Sequence, residues 1–184
     1  MAGPTSTPTP TPRTKKPAPT STTSVPISGT EPSPAGTERK TRPERFVLGD
    51  IDLPVQPVGV GDDGMMELPT TAYALGWYEF GARPADRAGT TVLAGHVDTK
   101  AEGLGPLVAL RGADEGAEIA VVTADGRSRR YRVTDVEVIR KARVPLEQIF
   151  ARNGQETLVV ITCGGPYRRS TGYRDNVIVT ATPV

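Results

Sequence analysis

Short apolar and β-branched segments, most of them punctuated by Gly, Pro or Asp, constrain this chain more than any other feature. They fall at residues 46–48, 55–60, 65–68, 91–94, 118–123, 130–139, 158–162 and 177–181. Side chains alternate between the two faces of a strand, so runs this short with a period of two read as strands and not as helices. About eight strands in roughly 140 residues predict an all-β barrel or sandwich. Asp125-Gly126 predicts a two-residue hairpin, because that pair accepts positive φ at both positions. Helix is expected only as a turn or two at 70–75, another at 104–110, and a short one at 145–151, where Pro145 suits a first helical turn.

Residues 1–43 are dominated by Pro, Thr, Ser and Ala, with charged residues and almost no aliphatics. Such a stretch buries too little apolar surface to offset chain ordering, so it reads as an extended, solvated spacer ahead of one folded domain at 44–184. The spacer carries Arg13, Lys15, Lys16, Arg39, Lys40 and Arg42 against Glu31 and Glu38, a charge of +4; the overall charge of +1 therefore leaves the domain at −3. With no basic stripe in the domain, nucleic acid is not an expected partner. No run of 18 apolar residues offers a membrane span, and the first residues lack the charged and apolar regions of a signal peptide. A spacer that starts so abruptly suggests a membrane anchor upstream of this chain.

The single cysteine, Cys163, closes the run Thr157-Leu-Val-Val-Ile-Thr-Cys163 and is followed by Gly164-Gly165-Pro166; the single histidine, His96, follows Thr91-Val-Leu-Ala-Gly95 in the same way. A thiol at a strand end beside two glycines is accessible, and an imidazole placed alike offers a proton donor and acceptor. If 157–162 and 177–181 are antiparallel neighbours, Arg174, just before the second, faces Cys163. A nearby cation favours the thiolate, and a guanidinium can hold an oxyanion. Taken singly, a lone cysteine is more often a buried small hydrophobe, a lone histidine a satisfied core residue, and Arg174 a solvated charge like Arg168 and Arg169. The three together point to cysteine nucleophilic catalysis. Asp98 can orient His96 or simply cap its loop. With one Cys and one His a four-ligand zinc site is not expected, and Asp62-Asp63-Gly64 reads first as a solvated turn, so no metal or cofactor is expected.

These segments resemble the sortases, most closely the class F sortases of actinobacteria. The likeness rests on Gly76-Trp77-Tyr78, Val92-Leu-Ala-Gly-His96-Val-Asp98, Val159-Val-Ile-Thr-Cys163-Gly-Gly165 and Tyr173-Arg-Asp-Asn176-Val-Ile-Val179, in that order. The resemblance implies an eight-stranded sortase-type β-barrel displayed outside the cell, attached to the membrane and acting as a monomer. It implies that Cys163 attacks the Thr carbonyl of an LPXTG-like sorting signal, that His96 acts as general acid and base, and that Arg174 stabilises the oxyanion. The acyl group would pass to an amine of peptidoglycan, as lipid II or a cross-bridge. Two departures stand out: in many sortases the arginine sits about where Asn176 falls, and Arg83-Pro84-Ala85 replaces an expected Pro-Gly turn.

Substrate contacts are expected from Thr162 and Gly164, through hydroxyl or backbone N–H groups, and from Val144 and Ile149 in the apolar segment 141–156. That segment suits the Leu-Pro part of a sorting signal, although the same residues also suit packing a short helix onto the barrel. A hydrolytic cysteine peptidase shares the chemistry and differs in letting water resolve the intermediate. A non-catalytic extracellular binding module would account for the β-rich domain but leave Cys163, His96 and Arg174 as coincidence.

Overall fold

The computed structural model describes residues 41–184 together with Gly3. The expected spacer at 1–43 therefore lies, apart from its last residues and Gly3, outside the described residues. Ten strands run in the order β1 (Pro43–Leu48), β2 (Ile51–Val58), β3 (Leu75–Tyr78), β4 (Thr90–Gly95), β5 (Asp98–Thr99), β6 (Gly103–Leu104), β7 (Glu118–Thr123), β8 (Ser128–Arg140), β9 (Thr157–Arg168) and β10 (Gly172–Pro183). The helical content of the described residues is a single turn, α1 (Leu146–Ile149), and two 3₁₀ turns, Pro106–Gly112 and Lys141–Arg143.

Eight strands close a barrel in the order β1-β2-β3-β4-β9-β10-β8-β7, with β7 pairing back onto β1. Closure leaves no unpaired strand edge in the barrel. β5 and β6 form a separate two-residue ribbon. Most neighbours are antiparallel, but β2–β3 and β4–β9 are parallel and so are joined by long crossovers.

Alternation assigns the faces. Phe46, Leu93, Leu158, Val160, Val177 and Val179 point into the barrel and join one continuous core with Tyr131 and Leu107. Each such fully buried side chain contributes about 1.5–3 kcal/mol through removal from water. The intervening residues of the same strands, Val92, Val159 and Ile178, face outward, where Ile149 of α1, Val144 and Phe150 cover them. The barrel wall between β4, β9 and β10 is thus apolar on both sides.

Several local expectations need correction. Residues 65–68 form no barrel strand; they make one bridge, Val60 to Met66, and the third barrel strand is Leu75–Tyr78. That strand occupies the end of the expected helical turn at 70–75. Its four residues are too few to show a period, and its Gly76 is required because a Cβ there would lie 2.9 Å from a Val58 methyl. Asp125-Gly126 sits in a four-residue connection and not a two-residue one: Gly126 N–H donates to Thr123 O, and only Gly126 has positive φ, at 78°. The Thr123 hydroxyl bonds the Asp125 carboxylate, which fixes this wider turn. Finally, β9 and β10 run well past their apolar parts to form a hairpin that extends to Arg168 and Gly172.

Ala85 takes the glycine-like conformation of the substituted turn, with φ 68° and Asp86 N–H donating to Arg83 O at 3.0 Å. Its N–H donates to Glu156 Oε1. Glu156 also receives Arg129 through both guanidinium arms and the Tyr131 hydroxyl at 2.9 Å. Burial raises the Glu156 carboxyl, but these hydrogen bonds and the Arg129 charge outweigh it and hold the group below its usual range.

Candidate active site

The parallel pairing of β4 with β9 ends at Gly95 opposite Thr162. There the two backbones run about 5 Å apart, and the next residue on each is His96 and Cys163. The alternation that turns Gly95 and Thr162 inward turns both reactive side chains outward, and both are half-buried. His96, just past the end of β4, and Cys163, within β9, far apart in sequence, therefore share one face.

Thr162 is 2% exposed, and its hydroxyl donates to the Gly95 carbonyl at 2.9 Å. The hydroxyl is engaged in joining the two strands beneath the reactive pair. Gly164 is buried, and a Cβ there would stand 2.7 Å from a Val177 methyl. Its lack of a side chain serves close packing between β9 and β10.

Across β10, Asn176 stands directly opposite Cys163. Facing residues of antiparallel strands have Cβ atoms roughly 5 Å apart, so the Asn176 amide flanks the thiol on the side away from His96. Arg174 lies two residues nearer the hairpin tip, beside a register shift between Tyr173 and Asp175. Cys163 and Arg174 are thus interior to long strands, where the sequence suggested strand ends. The Arg174 side chain is 53% exposed, and both its Nε and Nη2 donate to the neighbouring Asp175 carboxylate at 2.8 Å. That hydrogen bonding raises Arg174 and lowers Asp175 from their ordinary values. Asp175 has room because Gly165 lacks a side chain; a Cβ there would fall 2.1 Å from Asp175 Oδ2.

Sequence reasoning gave Tyr173, Asp175, Asn176 and Glu102 no role in the site, although the first three stand in one of the motifs that carry the resemblance. The Tyr173 hydroxyl donates to Asp98 Oδ2 at 2.7 Å, so Asp98 is engaged by a tyrosine on β10. That bond, then burial and the Asp98 charge, push Tyr173 up to about 12. On the other side of the His96 loop, Glu102 accepts from the Thr71 hydroxyl, Ala72 N–H and the Thr99 hydroxyl. These bonds, chiefly that from Thr71, hold its carboxyl below the usual range, and the His96 ring adds to the effect.

From Cys163 the outward face of β9 continues through Ile161 to Val159, roughly 13 Å away. There Val159, Ile178, Ile149 and Pro145 line a cavity of about 290 Å³, with Glu137 and Gln148 at its polar side. Ile149 is 5% exposed and both packs on the wall and lines the cavity; Val144 belongs to the packed cluster behind it. Among the described residues, no group of three or more His, Cys, Asp or Glu is arranged to hold a metal ion.

Residues 48–184 match the sortase domain family. At the level of sequence no curated protein matches the chain significantly. Among solved structures, sortase A from Corynebacterium diphtheriae superposes with a TM-score of 0.59 at 19% identity, covering 86% of this chain and 71% of that one. The SrtA sortase from Actinomyces oris gives 0.56 at 22% identity, with 77% and 79% covered. Streptococcus agalactiae sortase C1, in complex with MTSET, gives 0.57 at 18% identity; 76% of this chain is covered, and the chain spans 66% of that protein's length. At these identities the structural likeness establishes the eight-stranded sortase barrel. Because the domain match takes in most of the chain, the protein belongs to the sortase family of cysteine transpeptidases.

Proposed function

We propose that this protein cleaves an LPXTG-like sorting signal between Thr and Gly and passes the acyl group to an amine of the cell wall. The observation that carries this reading is the parallel register of β4 and β9, with His96 and Cys163 next in line on one outward face. The Cys163 thiolate adds to the Thr carbonyl, and the oxyanion collapses to a thioester as His96 gives its proton to the departing Gly amine. An incoming amine then adds to the thioester and yields its proton to His96, and the Cys163 thiolate leaves. Atoms balance as one amide exchanged for another.

Arg174 is assigned to the oxyanion. With Nε and one Nη2 proton on Asp175, its Nη1 protons and the second Nη2 proton remain to donate, so the ion pair fixes the fork without exhausting it. The cavity at Val159 and Ile178 suits the Leu-Pro part of the signal: in an extended peptide Pro and Leu lie roughly 7 and 10 Å back from the scissile Thr, and the Leu side chain reaches on toward the cavity. Ile149 would contact that part, and Val144 would support it from behind.

The class F assignment is supported by the motifs around His96, Cys163 and Asn176. The acceptor would be a peptidoglycan amine, on lipid II or a cross-bridge, and the site is complete within one chain, as a monomer requires. Family members work outside the cell attached to the membrane, and we place this chain there, with 1–43 as spacer for the domain at 44–184. Among the described residues no helix is long and apolar enough to cross a membrane.

The test is mass spectrometry of the protein with an LPXTG-type peptide, with and without triglycine, beside Cys163→Ala. Cleavage between Thr and Gly, with an amine-dependent ligated product lost in the variant, is the expected result. Hydrolysis alone would make the protein a peptidase; an unmodified peptide and a Cys163 inert to alkylation would favour a non-catalytic binding module.

A further inference from the structure

The hydrogen bond from Tyr173 to Asp98 spans two elements that nothing in the barrel pairs directly. Asp98 begins β5, two residues after His96, and Tyr173 lies on β10, immediately before Arg174. The bond is short, 2.7 Å, and charge-assisted. It cross-links the loop that carries the imidazole to the hairpin that carries the arginine.

Both ends of this bond are themselves braced. On the loop side, Asp98 pairs with Leu104 across the β5–β6 ribbon, and Gly105 N–H donates to Val97 O at 2.8 Å. Glu102 then ties the far end of the ribbon to Thr71 and Ala72. On the hairpin side, Tyr173 faces Tyr167 in register, with ring centroids 5.1 Å apart, and the next residues are Arg174 and its buried partner Asp175. A bond between two stiff segments transmits position, whereas a bond between two loose ones would not.

We propose that Asp98 and Tyr173 are positioning residues, a clasp that sets the His96 loop and the Arg174 strand relative to each other across Cys163. Both are assigned to act through His96 and Arg174. Proton transfer and oxyanion stabilisation both depend steeply on distance, so a clasp that fixes imidazole and guanidinium together acts on the transition state more than on peptide binding. The clasp rests on the roles given above to His96 and Arg174, and its test is arranged to separate the two.

Tyr173→Phe and Asp98→Asn, singly and combined, are made in the full chain. Phe keeps the ring against Tyr167, and Asn keeps the shape of Asp98. Three quantities are read: the thermal midpoint, kcat and KM for an LPXTG-type peptide with triglycine, and the rate of iodoacetamide alkylation at Cys163 from pH 5 to 10. The clasp predicts that each single variant lowers kcat by roughly tenfold, the effect of losing one charge-assisted hydrogen bond, with KM little changed. The double variant should be no worse than either single one, because both break the same bond, and the alkylation profile should move in all three alike.

Additive losses in the double variant, or losses that follow the folded fraction alone, would overturn the proposal. So would unchanged kcat and an unchanged alkylation profile in variants that fold. Should the unaltered protein alkylate at Cys163 yet leave the peptide intact, the substrate reading fails by itself. The clasp is then judged by whether the two substitutions still act non-additively on alkylation.

Discussion

The Thr162 hydroxyl donates to the Gly95 carbonyl across 2.9 Å, joining the residue before the thiol to the residue before the imidazole. Thr162→Val keeps the shape and removes the donor. A loss of about 1–2 kcal/mol is expected, since the bond lies in a 2%-exposed position and the carbonyl loses its partner. Urea midpoints give the stability change. Turnover of an LPXTG-type peptide should fall beyond what that change explains, because the same bond spaces His96 from Cys163.

Arg174→Ala should lower turnover by about 10²-fold, on the scale of losing one oxyanion donor. Arg168→Ala and Arg169→Ala, in exposed positions at the hairpin tip, should stay within about twofold of the unaltered rate. Initial rates of peptide cleavage decide the matter. Normal rates in Arg174→Ala would move the role to one of the other two.

Ala85 holds φ at 68° in the turn closed by Asp86 N–H and Arg83 O. A side chain in the left-handed region costs about 1 kcal/mol or more, and glycine is free of that cost but loses more entropy on folding. Ala85→Gly should therefore raise stability by about 0.5–1 kcal/mol. A thermal midpoint lower than that of the unaltered protein would show the turn to be held without strain.

The Glu156 network sets an acid limit. With its folded value below the unfolded one, near 4.3, Glu156 contributes stability that is present in full above that unfolded value. The contribution is lost as pH falls through the folded value. Glu156→Gln should be less stable at pH 7, and its stability should fall less steeply below about pH 4.3, as urea unfolding at a series of pH values would show.

How much could be read in advance follows from strand length and neighbours. The segments at 118–123 and 91–94 are long enough to show their alternation and coincide with β7 and most of β4. β3 was missed because four residues hold no period, and because its identity depends on parallel pairing with β2 that no local signal announces. The outer parts of β9 and β10, rich in Gly, Pro, Arg and Tyr, carry no apolar pattern; they are strands because each pairs with the other. Cys163 and His96 were legible as accessible residues following apolar strand runs, while the continuation of β9 past Cys163 and the adjacency of the two depend on register. Asn176, Asp175 and the Asp98–Tyr173 bond were hidden for the same reason, since facing across strands is a tertiary fact.

The neighbours β4 and β9 carry their joined residues 67 positions apart in the chain. Contacts of such long separation cost loop entropy to close. Until they form, Cys163 is an ordinary thiol with no imidazole beside it, and as the only cysteine it has no wrong partner within the chain. Competence to cleave an amide therefore arrives with completion of the wall, since an unfinished copy has a thiol but no imidazole placed to protonate the leaving amine. The arrangement works as an assembly interlock, built from strand order alone.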